Sequence, residues 1–153
     1  MHRLVPVLVI LLACSCKKEV PVEPELDLGP AVTALRAGKL GEAMQAFQLA
    51  NTQNPSHVDA AIGASYGFMV VGDYDRADAV LAGVEEKAEG RLGEVRLRRG
   101  LLALESGDLE AMVQHIQELR HPAAVLLLAE YRLTDGDQAG AVDLLNQLRS
   151  QSG

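Results

Sequence analysis

Residues 65–84 read SYGFMVVGDYDRADAVLAGV, and the placing of Gly72-Asp73 inside that stretch decides the fold. A glycine can adopt the left-handed conformation that ends one helix. An aspartate beside it can accept hydrogen bonds from the amides that open the next. After the turn, Ala77, Leu81 and Val84 follow at i, i+4, i+7 spacing, which puts them on one helical face. Before the turn, the small Ser65 lies seven residues upstream and Met69 three upstream. The stretch reads as a tight turn between two helices.

The pattern recurs at Gly38, Gly107 and Gly136, so the four glycines are 34, 35 and 29 residues apart. Aspartate follows three of them, and Lys39 follows Gly38. The downstream face is Ala43, Phe47 and Ala50, then Met112, Ile116 and Leu119, then Ala141, Leu145 and Leu148. Seven residues before each turn stand Ala31, Gly100 and Ala129, all small enough for two helices to approach closely. Leu35, Leu104 and Leu133 take the place of Met69. The spacing predicts helices over 30–37, 39–52, 56–71, 73–87, 91–105, 108–119, 122–134 and 137–149, an all-α chain. Composition agrees: aromatics are 3% of residues and Trp is absent, while helix-favouring leucine and alanine dominate.

Helix–turn–helix units at a period near 34 resemble the tetratricopeptide repeat. The resemblance covers about residues 30 to 150 and includes Pro55 at the family's terminal proline position. It implies an α-solenoid of about four repeats over 30–153, with first helices lining a concave surface. The chain departs from the family in four places. The first repeat has a short first helix beginning near Pro30. Arg96 and Arg99 replace bulky apolar residues, Met112 replaces the small alanine, and His121-Pro122 makes a contracted connection to the last repeat. Mapped from the family, the concave positions are Ile62, Tyr66, Met69 and Val70, then Leu97, Leu101 and Leu104, then Leu126 and Leu133. The basic clamp that some such domains use for peptide carboxylates is missing. An apolar groove of this kind implies a protein partner offering an amphipathic helix or an extended apolar segment.

The amino terminus carries an address. Leu4 to Leu12 is apolar but far shorter than the about 20 residues that span a bilayer as a helix. It therefore reads as the hydrophobic core of a signal peptide. Leu11-Leu12-Ala13-Cys14 resembles the lipobox of bacterial lipoproteins. The resemblance implies removal of residues 1–13, with diacylglycerol and an N-acyl chain on Cys14 as the membrane attachment. Ser15 is not the aspartate that retains such proteins in the inner membrane, which implies the periplasmic face of the outer membrane. Residues 14–29, with two prolines and several carboxylates from residue 17 onward, read as an extended linker.

The formal net charge of −7 argues against a nucleic-acid binder, which needs a basic face. Two cysteines cannot build a disulfide scaffold. No catalytic or metal-binding constellation stands out. His57, His115 and His121 have no helical histidine partner at metal-ligand spacing. Ser65 could join His57 and Asp59 only by leaving a packing position. Arg91, Arg96, Arg98 and Arg99 lie among Glu85, Glu86, Glu89 and Glu94, which reads as a self-compensated, solvated patch. Neither a small-molecule substrate nor a cofactor beyond the covalent lipid is expected. The reading is a non-catalytic envelope adaptor or assembly factor, a class that includes secretin pilotins, outer-membrane assembly components and cell-wall enzyme adaptors. A regulatory accessory of a periplasmic hydrolase and a self-associating structural protein fit the same features.

Overall fold

A computed structural model describes residues 26–151. The expected signal peptide, Cys14 and the linker up to residue 25 lie outside the described residues. The described chain is helical without strands: α1 (Gly29–Arg36), α2 (Leu40–Gln53), α3 (Val58–Val70), α4 (Tyr74–Glu85), α5 (Leu92–Ser106), α6 (Leu109–Ile116), α7 (Pro122–Thr134) and α8 (Gln138–Gln151). A single 3-10 turn, Glu89–Arg91, leads into α5.

All four turn glycines adopt the left-handed conformation, with φ of 71°, 79°, 83° and 86° at Gly38, Gly72, Gly107 and Gly136. A Cβ is strained there, which is why glycine recurs. The three aspartates cap as their sequence position suggests. Asp73 accepts from the Arg76 amide at 3.3 Å, Asp108 from Ala111 at 2.9 Å and Asp137 from Gly140 at 2.9 Å. His57 and His121 cap α3 and α7, their Nδ1 atoms accepting from the Ala60 and Ala123 amides.

Packing is dominated by sequence neighbours: each helix meets the one before and the one after, and α3 also reaches α5. Ala43, Ala77, Met112 and Ala141 are all buried, as are Phe47, Leu81 and Ile116 four residues further on. Small residues let helices close up. A Cβ at Gly63 would run into the Phe47 ring, and one at Gly100 into Ile116 Cγ2.

Four details depart from the sequence reading. Leu145 holds the same place as Leu81 yet is 41% exposed, because no described helix lies over that side of α8. α6 ends at Ile116 rather than 119, so Leu119 sits half-buried in the connection to α7. α1 begins at Gly29, and Leu28 packs against Ala31, Phe47 and Ala64, so the linker ends sooner than expected. Leu35, at a recurring apolar position of α1, is exposed.

Candidate functional site

Two features stand out along the helix pairs, one ionic and one apolar. The ionic one lies in the seam between α4 and α5. Arg96 and Arg99 are three apart on α5 and so share a face. Arg96 Nε donates to Glu85 at 2.9 Å and Nη1 to Glu118 at 3.3 Å. Arg99 grips Asp78 with two parallel hydrogen bonds, at 2.7 and 2.8 Å, and donates a third to Glu85. Arg91 similarly joins Asp59 at the start of α3 to Glu94.

The sequence led to a solvated patch, and this is corrected for part of the cluster. The side chains of Arg99 and Glu85 are only 17% and 19% exposed, since α5 turns this face onto α4. Burial pushes the Glu85 carboxyl up, but hydrogen bonds from Arg96 and Arg99 outweigh it and hold the group below its ordinary 4.5. The Asp78 hydrogen bond, against the opposing effect of burial, raises the Arg99 guanidinium. Burial, with the nearby charge of Arg99, pushes the His115 imidazole down from 6.5. Every arginine here is committed to protein carboxylates except Arg98, which is exposed, so the cluster is a brace between helix pairs rather than an anion site.

This brace makes a prediction. Arg99→Ala should cost about 1–2 kcal/mol at neutral pH, discounted because Asp78 is partly exposed. A carboxyl depressed in the folded state stabilises fully above its unfolded value, here about 4.5, and that contribution is lost as pH falls through the folded value. The gap between wild type and variant should therefore narrow as pH falls below about 4.5 in urea titrations. A gap of constant size would assign the cost to lost packing alone.

The apolar feature involves the positions mapped from the sequence. Tyr66, Val70, Leu126 and Leu133 are exposed. Ile62 and Met69 instead pack, half-buried, against the core of Ala61, Leu81, Val95 and Leu102. Leu97 and Leu104 pack against a second core, of Met112, Ile116, Ala124 and Leu128, and Leu101 is half-buried. These nine residues are thus divided between open surface and core margin.

Leu104 also lines a cleft of about 150 Å³ together with Leu109, Met112, Leu127, Glu130, Tyr131 and Thr134. This cleft leaves only an indirect trace in the sequence. Leu127 and Tyr131 lie nine and five residues before Gly136, where α3 has Gly63 and Gly67 before Gly72. In α3 those glycines admit Phe47 and Met44 of α2. Two bulky residues in α7 face a preceding helix of only eight residues, and α6 meets α7 sparingly. A second crevice, about 300 Å³, opens beside Tyr131 between Val113 and Leu144.

Among the described residues, no group of three or more His, Cys, Asp or Glu is placed to hold a metal ion. Ser65 is buried and its hydroxyl donates to the Ile62 carbonyl at 2.8 Å, while His57 Nδ1 is occupied as a helix cap. A scan against protein-family models finds no match to this chain, and a search of curated proteins finds no significant relative.

Proposed function

We propose that the protein is a non-catalytic adaptor or assembly factor of the bacterial envelope, built as an α-solenoid of about four tetratricopeptide-like repeats. Acyl chains on Cys14 would hold it at the periplasmic face of the outer membrane. The observation that carries the repeat reading is the recurrence of one turn geometry. Four left-handed glycines are each followed five residues later by a fully buried residue, and nearest-neighbour packing runs throughout. The adaptor reading draws on the exposed Tyr66, Val70, Leu126 and Leu133, which occupy first helices in that scheme. Such faces suit helical or extended apolar ligands. The anchor reading draws on Leu11-Leu12-Ala13-Cys14.

The test is crosslinking in the native host with the anchored protein and a Leu126→Glu variant. Leu126 is preferable to Leu101, because its exposure lets a charge be added without entering the core. A specific crosslinked partner should be lost in the variant while far-UV helicity stays at the wild-type level. An unchanged partner set in a folded variant would refute the groove as the adaptor surface.

A further inference from the structure

The α5–α6–α7 cleft and the charge at its edge identify the kind of partner. Its volume, about 150 Å³, is below the roughly 300–1,000 Å³ typical of small-molecule sites, and suits one large side chain of a docking segment. Leu104, Met112 and Leu127 make it apolar, and Leu109 contributes an exposed rim. Glu130 lines the same cleft and is exposed. By i, i+4, i+7 spacing, Glu130 also shares a face of α7 with Leu126 and Leu133, both exposed. It therefore stands between the cleft and an open apolar stripe.

The Glu130 carboxylate makes no ion pair or hydrogen bond among the described residues. In the α4–α5 seam, by contrast, Asp78 and Glu85 are both paired with arginine. The chain as a whole carries −7, which favours encounter with cations. We infer that this face of α5 and α7 docks a cationic amphipathic helix, placing one apolar side chain in the Leu104–Leu127 cleft and a lysine or arginine over Glu130. The inference rests on the adaptor reading and adds the chemistry of the partner. Apolar contact supplies the bulk of such an interface, and complementary charge supplies selectivity and association rate.

The experiment uses the full-length purified protein and two synthetic helical peptides with the same leucine stripe, one flanked by lysines and the other by glutamates. Fluorescence anisotropy should give at least about tenfold tighter binding of the lysine peptide at low salt, narrowing as salt rises. Glu130→Gln should remove most of that preference without changing the circular dichroism spectrum. Equal binding of the two peptides, with both lost in Leu126→Glu, would overturn the cationic assignment and leave the groove standing. No binding of either peptide would overturn both. Light scattering showing a dimer that Leu126→Glu dissociates would make a second copy of the chain the occupant and would also overturn the proposal.

Discussion

Leu81→Ala is expected to lower the unfolding free energy by about 3 kcal/mol, whereas Leu145→Ala should cost under about 1 kcal/mol. The two leucines are nine residues past their turn glycines and are equivalent in sequence. Leu81 is 1% exposed and packs among Ala77, Val84, Val95 and Leu102, with α5 closing over it. Truncation there removes apolar burial and leaves a cavity in a core that close packing keeps from collapsing. Leu145 lacks such a cover, so truncation returns only partly buried surface to water. Urea denaturation at constant m-value would read the difference as a shift in midpoint. Equal costs would mean that α8 is covered in solution, which is the outcome a self-associating protein would give.

That contrast marks how far the sequence alone carries. The turns were legible because glycine with positive φ and an aspartate cap are local devices, set by residues one to three positions apart. Helix centres were legible because alanine, leucine and methionine recur at helical spacing. The end of α6 was not, since Gln117, Glu118 and Leu119 are compatible with continued helix and the break depends on how α7 returns. The ionic seam was half legible. A basic run beside an acidic run was plain, but Arg99 reaches Asp78, 21 positions back, only because of how α5 is rotated against α4. The cleft was hidden for a related reason. It arises where Leu127 and Tyr131 stand in place of glycines and where α6 is short, and neither change is informative until the helices are packed together.

Cys14→Ala is expected to move the protein almost entirely from the membrane pellet to the soluble fraction and to abolish palmitate labelling. Leu4 to Leu12 cannot span a bilayer as a helix, and no helix among the described residues is long and apolar enough to do so. A lasting attachment by acyl chains needs more than one, because a single chain of about 14 carbons binds only marginally. The proposed diacylglycerol and N-acyl group on Cys14 would meet that requirement, and one substitution would remove all of them together. Cys16→Ala is the control and should change neither fractionation nor labelling. If Cys14→Ala keeps its label, acylation occurs elsewhere and the lipobox assignment falls. If the label is lost but the protein stays in the pellet, attachment runs through a membrane-bound partner. Adding Leu126→Glu to Cys14→Ala should then release the protein, which would separate anchoring by lipid from anchoring by the apolar face of α7.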